Sequence, residues 1–206
     1  MTEVSVLLFD AMSQIDATFV TQRLPLLPDF RRQQCTRYRQ TIDQATCIIA
    51  YLLLAKGLND HYGLPRPEAF HYAESGKPYI PGAPVHFSLS HCPIGVVCAL
   101  SSTEIGIDIQ AIRPFDSKVA LRVCTDAELR SLAESADPPD LFCQMWTVKE
   151  SYAKARGTGV SAILRQTLPV TGFWSHKGTG YWLTAYCDDP NARFVVHTIE
   201  DIDTCI

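Results

Sequence analysis

Hydrophobic and polar positions change period several times along the chain, and each change marks an element. Near the N-terminus, VSVLLFD is a short run rich in Val and Leu, the pattern of a buried strand. From Thr41 to Lys56 a strongly apolar stretch predicts a helix, with Gly57 as its C-cap. HYGLPRPEAFHYAESGKPYIPGAPV carries Pro and Gly at short intervals and predicts loops and short strands. VHFSLS and GVVCAL then read as strands, and SSTE as a turn into IGIDIQ. In IGIDIQ a period of two puts Ile105, Ile107 and Ile109 on one face and Gly106, Asp108 and Gln110 on the other. Because it follows GVVCAL by a turn, an internal hairpin between the two is expected. Thr125 with Glu128 forms a capping box at a helix start. A second helix follows DPP, where proline suits the first turn, and runs to Gly157. The tail after Gly159 alternates as strands, with Gly172, Gly178 and Gly180 at turns. Strands and helices mix without a regular βαβ rhythm, which predicts the α+β class.

Composition narrows the class. The 206 residues are 47% hydrophobic and 19% charged, enough for a globular core in one large domain or two compact halves. A net charge of −4 argues against general nucleic-acid binding. FRRQQCTRYR is a local exception, where Arg31, Arg32, Arg37 and Arg39 crowd together as either a solvated face or a phosphate-binding patch. The eight cysteines show no zinc-knuckle spacing, and a chain of this size does not need disulfide stapling. MTEVSVLLFDAMSQID lacks the basic region and small-residue cleavage site of a signal peptide. The run CIIAYLLLA is far shorter than the roughly 20 residues a bilayer span takes. A cytoplasmic protein with reduced thiols, and no membrane or nucleic-acid partner, is the expectation.

Three groups of residues could carry chemistry. Aspartate is depleted in strands. Asp108 and Gln110 therefore either face water or aim a carboxylate and an amide oxygen at one point, which suits a hard cation such as Mg²⁺. In WTVKESYAKARGTG, Trp146, Glu150 and Lys154 are four apart on one helix face, with Leu141, Phe142 and Met145 on the apolar side. Glu150 and Lys154 are either a surface ion pair worth about 0.2–0.5 kcal/mol or part of a metal and phosphate site. Lys149, Lys154 and Arg156 crowding one carboxylate favour the second. Ser90 and His91 end a strand side by side, facing opposite ways without a nucleophile elbow, which disfavours a Ser/His catalytic pair. A hydroxyl and an imidazole offered to ligand phosphates, or a plain strand end, are the alternatives.

The order of these blocks resembles a known family. Gly76-Lys77-Pro78, Phe87-Ser88-Leu89-Ser90-His91, Gly106-Ile107-Asp108-Ile109-Gln110 and Trp146 to Lys154 are similar to the ordered motifs of the 4′-phosphopantetheinyl transferases. The similarity is greatest to the two-subdomain, surfactin-synthetase-activating type. It runs from Ser75 to Gly159, is faint before that and nearly absent after Leu164. The resemblance implies two similar α+β subdomains related by a pseudo-twofold, residues 1–102 and 103–206, with coenzyme A in the cleft between them. It implies transfer of the 4′-phosphopantetheine arm from coenzyme A to a serine of an apo acyl or peptidyl carrier protein, with Mg²⁺, releasing 3′,5′-ADP. Carried over residue by residue, Asp108 and Glu150 would hold Mg²⁺, Lys154 would contact the pyrophosphate, and Glu150 would act as the base. Lys77 and Pro78 would lie along the nucleotide, and Ser90 and His91 would reach its phosphates.

Some positions depart from the family pattern. Gln110 stands where the family often has Glu, so its place among the metal ligands is weakened. Ser88 replaces a common Asn, and Cys92 a common Ser. A basic residue that grips the coenzyme A 3′-phosphate would fall near Thr46; Arg31, Arg32 and Arg37 are the substitutes, with Arg31 carried forward. A monomer is expected, since one chain holds both halves. The rivals are a non-catalytic module that binds coenzyme A or a carrier protein, and a Mg²⁺-dependent phosphohydrolase.

Overall fold

Alternate residues of the first strand enter different cores, and that division sets the architecture. Along β1 (Glu3–Phe9), Leu7 and Phe9 join one apolar cluster, while Val4, Val6 and Leu8 join another. The computed structural model of the protein describes residues 2–205. After β1 come the short helices α1 (Ala17–Arg23) and α2 (Asp29–Cys35), then the long α3 (Thr41–Tyr62). The Pro/Gly-rich stretch holds only the two-residue strands β2 (His71–Tyr72) and β3 (Pro78–Tyr79). Strands β4 (His86–His91), β5 (Val96–Ser101) and β6 (Ile105–Ala111) follow, then helices α4 (Ser117–Val123), α5 (Asp126–Glu134) and α6 (Pro138–Arg156). The chain closes with β7 (Phe173–Gly178), β8 (Tyr181–Cys187) and β9 (Arg193–Thr198).

Two larger sheets result, ordered β4-β5-β1-β9 and β6-β8-β7, and the class is α+β as expected. Val4, Val6, Leu8, Val97 and Ala99 of the first sheet meet Ile105, Ile107, Ile109, Leu183 and Ala185 of the second in one core. Helix α3 covers the outer face of the first sheet, and α6 packs on β6 and β8 of the second. The layers therefore run helix, sheet, sheet, helix. Strand β9 crosses the division at residue 103, since it pairs in parallel with β1 and gives the first sheet its fourth strand.

Helix α3 is longer than its sequence pattern indicated. Gly57 does not end it; Gly63, at φ 61°, does. Gly57 instead lies against the first sheet, where an added Cβ would come within 2.4 Å of Leu100 Cδ1. Its 22 residues are long and apolar enough to cross a bilayer by length and composition. Here 72% of the apolar window is buried inside the protein, the mark of a core helix. The other two helix assignments hold. Thr125 and Glu128 form the reciprocal capping box of α5, and Asp137 caps α6 ahead of its prolines.

The hairpin expected between GVVCAL and IGIDIQ does not form. Strand β5 already has β4 on one edge and β1 on the other, so no ladder position is left for β6. The SSTE turn instead carries the chain into the second sheet, where β6 pairs antiparallel with β8. Two amides of β6 find side chains rather than a strand. Ile107 N donates to Ser88 Oγ at 3.1 Å, and Ile109 N to Ser90 Oγ at 3.4 Å. These serines of β4 stitch one sheet to the other where the second has an open edge.

Candidate active site

Since Ile105, Ile107 and Ile109 fill the core between the sheets, the other face of β6 must meet α6. Small residues make that approach close. Thr147, Ser151 and Ala155 recur at four-residue spacing on α6, all buried. Opposite them, an added Cβ at Gly106 would lie 2.0 Å from Ser151 O and 2.4 Å from Ala155 N. Only glycine fits there. Thr147 Oγ1 also shares a hydrogen bond of 2.8 Å with Thr184 Oγ1 on β8, the register partner of Asp108.

This contact delivers the helix side chains to Asp108. The aspartate is only 5% exposed, and its Oδ1 accepts from Lys154 Nζ at 2.6 Å and from Ser90 Oγ at 2.8 Å. Lys154 Nζ also donates to Ser90 Oγ at 2.8 Å, closing a triangle drawn from β4, β6 and α6. Asp108 Oδ2 is buried and meets no donor among the described residues. Glu150 sits half-buried beside this cluster; burial, and then the charge of Asp108, push its carboxyl above the usual range, against the pull of Lys154. His91 keeps an outer edge in solvent, yet loss of water around its ring and then the Lys154 charge push its imidazole below the usual range.

The cations expected around Glu150 separate. No ion pair joins Glu150 to Lys154 among the described residues; Lys154 turns to Asp108 instead. Lys149, 1% exposed, points away from the site with Nζ 3.0 Å from Glu128 Oε1, close enough for an ion pair but outside hydrogen-bond geometry. It ties α6 to the capping box of α5. Arg156 pairs with Asp188 and lies over the rings of Tyr152 and Tyr186. Glu128 has no motif that would mark it as a partner for Lys149, and only the fold brings the two together.

Three cavities border these residues. One of about 130 Å³ gathers Arg31, Thr46, Ser90 and His91. Within it Arg31 is 5% exposed, with Nη2 donating to Cys47 O at 3.0 Å and Nη1 to Gln34 Oε1 at 2.7 Å; its Nε meets no acceptor among the described residues. The arginine cluster of FRRQQCTRYR is thus not one patch, because Arg31 turns inward while Arg32 pairs with Asp29 on the surface. A second cavity, about 510 Å³, is lined by Lys77, Pro78, Glu104, Ala155 and Arg156. There Lys77 Nζ reaches Glu104 Oε2 at 2.5 Å, Ala155 O at 3.0 Å and Ile105 O at 3.1 Å, clipping the β3 loop to β6 and α6. The third, about 550 Å³, takes in Gln110, Phe115, Phe142 and Trp146. Asp108 and Gln110 share a strand face, but Gln110 opens onto this last cavity and is not bonded to the Asp108 cluster.

The same segments match known proteins. A model of the 4′-phosphopantetheinyl transferase superfamily matches residues 104–197, from the start of β6 to β9. A 4′-phosphopantetheinyl transferase AcpT from Salmonella typhimurium is 33% identical over 138 residues, 63% of this chain and 69% of that protein. The chain belongs to the 4′-phosphopantetheinyl transferase superfamily. Among other relatives, a 4′-phosphopantetheinyl transferase of Bacillus subtilis is 36% identical over 135 residues, 64% of this chain and 60% of that protein. The 4′-phosphopantetheinyl transferase gsp of Aneurinibacillus migulanus is 33% identical over 151 residues, 71% of this chain and 60% of that protein. The chain thus spans about three-fifths of the length of these two transferases. Its superfamily match takes in Asp108, Glu150 and Lys154 but ends short of Lys77, Ser90 and Arg31 on the N-terminal side.

Proposed function

We propose that this protein transfers the 4′-phosphopantetheine arm of coenzyme A to a serine of an apo acyl or peptidyl carrier protein, releasing 3′,5′-ADP. Asp108 carries the reading: a buried carboxylate whose Oδ2 has no partner among the described residues, beside a second carboxylate, Glu150, that burial and the Asp108 charge keep easy to protonate. Both features cost free energy that an oxygen-seeking cation would offset. No cluster of three His, Cys, Asp or Glu side chains suited to a metal occurs among the described residues. Two carboxylates still fit Mg²⁺, which keeps several waters and commonly takes one or two carboxylates plus substrate phosphates. Asp108 and Glu150 would hold it, with the Gln110 amide as the weaker third donor, and when bound it would neutralise charge on the pyrophosphate oxygens.

The chain's own groups do the rest. Lys154, with 30% of its side chain exposed, donates to the pyrophosphate and steadies charge as the bond to 3′,5′-ADP breaks. Ser90 fixes Lys154 and Asp108 relative to each other, and with His91 and Arg31 borders the cavity for the remaining phosphate. Lys77 and Pro78 line the cavity for the nucleotide. Glu150 takes the proton of the carrier serine, directly or through a water. The serine oxygen then bonds to the phosphorus that bears the pantetheine. The two helix-backed sheets support a reading as related halves, and one chain supplying both supports a monomer.

Incubation with coenzyme A, Mg²⁺ and an apo acyl carrier protein, followed by mass analysis of the carrier, tests this. The expected result is a gain of one phosphopantetheine per carrier. Coenzyme A cleavage with an unchanged carrier would establish a hydrolase, and saturable coenzyme A binding without chemistry a binding module.

A further inference from the structure

We infer that Cys35 and Cys47 form a reversible dithiol–disulfide site that takes a small peroxide as its oxidant. Cys35 ends α2 and Cys47 lies in the second turn of α3, and their sulfurs are 2.7 Å apart. A disulfide bond is about 2.05 Å long, so less than an ångström of movement joins them. Arg31, one turn before Cys35, donates from Nη2 to Cys47 O at 3.0 Å and locks α2 onto α3.

The two thiols differ in a way that assigns their roles. Cys35 is fully buried, and the hydrogen bond with Cys47 followed by loss of water drives its thiol far up. Cys47 is pulled down by the hydrogen bond from Cys35 and by the Arg31 guanidinium, against the cost of burial. Cys47 also borders the 130 Å³ cavity, beside Thr46 and His91, and Cys35 does not. That volume holds about four waters at ~30 Å³ each, enough for hydrogen peroxide and too little for a glutathione-sized disulfide.

The steps balance. Cys47 thiolate attacks one peroxide oxygen, the O–O bond breaks, and the other oxygen leaves as water after gaining a proton, giving a sulfenic acid. Cys35, losing its proton, attacks the Cys47 sulfur; the S–O bond breaks and a second water leaves. Two thiols and one peroxide become one disulfide and two waters. A dithiol reductant reverses the change. None of the other six cysteines has a second sulfur within hydrogen-bond reach among the described residues, and all are buried.

Trypsin cleavage after Arg32, Arg37, Arg39 and Lys56 puts the two thiols in separate peptides, residues 33–37 and 40–56, each with one cysteine. After treatment of the full chain with about one equivalent of hydrogen peroxide, alkylation in denaturant and digestion, the expected product is these peptides cross-linked. Its mass is about 2 Da below their sum, and it disappears with dithiothreitol. In Cys35→Ala, Cys47 stops at the sulfenic acid and takes up dimedone. Full alkylation of both wild-type peptides after peroxide, or Cys47 climbing to sulfinic acid without a cross-link, would overturn the assignment.

Discussion

Helix α3 meets its sheet through Ile48, Ile49, Leu52, Leu53 and Leu54, whereas α6 meets the other through Thr147, Ser151 and Ala155. Both are long, both back a sheet, and both end on a left-handed glycine. The apolar helix needs only volume and shape at its contact, and side chains separate it from the strands. The small-residue helix brings backbone against backbone at Gly106, so the reach of Glu150 and Lys154 toward Asp108 is set by main-chain positions rather than by side-chain packing. Catalytic geometry tolerates errors of well under an ångström, and the second kind of contact supplies that tolerance. One helix stabilises the fold; the other aims the chemistry.

The comparison breaks first at Glu150. Glu150→Ala is expected to keep its circular dichroism and to lose at least about 10²–10³-fold in transfer rate, the scale for removing one electrostatic group at an active site. Gly106→Ala forces α6 off β6 and is expected to cost about 3 kcal/mol in urea unfolding. Gly57→Ala meets only side-chain ends of Leu100 and Leu7 and regains helix propensity, so its expected cost is about 1 kcal/mol. Equal costs at the two glycines would erase the distinction between the helices.

Two lysines five residues apart on α6 sharpen it further. Lys154→Met is expected to cut transfer by about 100-fold. Lys149→Met, which removes one partner of a buried ion pair and leaves the Glu128 charge uncompensated, is expected to leave the rate within about twofold while costing up to about 3 kcal/mol of stability. The smallest effect is one of pH. Glu150 binds its proton more tightly in the folded chain than in the unfolded one, so stability is lost as pH rises from the ordinary 4.5 through the raised folded value. Glu150→Gln is therefore expected to unfold at a higher temperature than the wild type near neutral pH, with the gap closing below pH 4.5. A gap that widens in acid would contradict the direction of the shift.

Much of this was legible because it was local. The period of two in IGIDIQ faced Asp108 away from the core, and the capping box and DPP placed the starts of α5 and α6. Long-range choices were not. Whether β6 pairs with β5 or β8 depends on which edges β1 and β4 have already taken. Gly57 looks like a stop in sequence and is a contact in space. Spacing of four allowed a Glu150–Lys154 pair, but a buried carboxylate on another element competes better for the lysine than a half-buried one on the same helix. Lys149 and Arg156 looked like ligands for charge because nearness in sequence hides the helix rotation of about 100° per residue, which turns both off the Glu150 face.

The most direct test of the site is the transfer rate of Asp108→Asn, measured beside the wild type by the mass of the carrier protein at saturating coenzyme A and Mg²⁺. The amide keeps the shape and the bond from Ser90 while removing the charge next to the unpartnered oxygen. A rate at least about 100-fold lower is expected; turnover within a few-fold of the wild type would contradict the account.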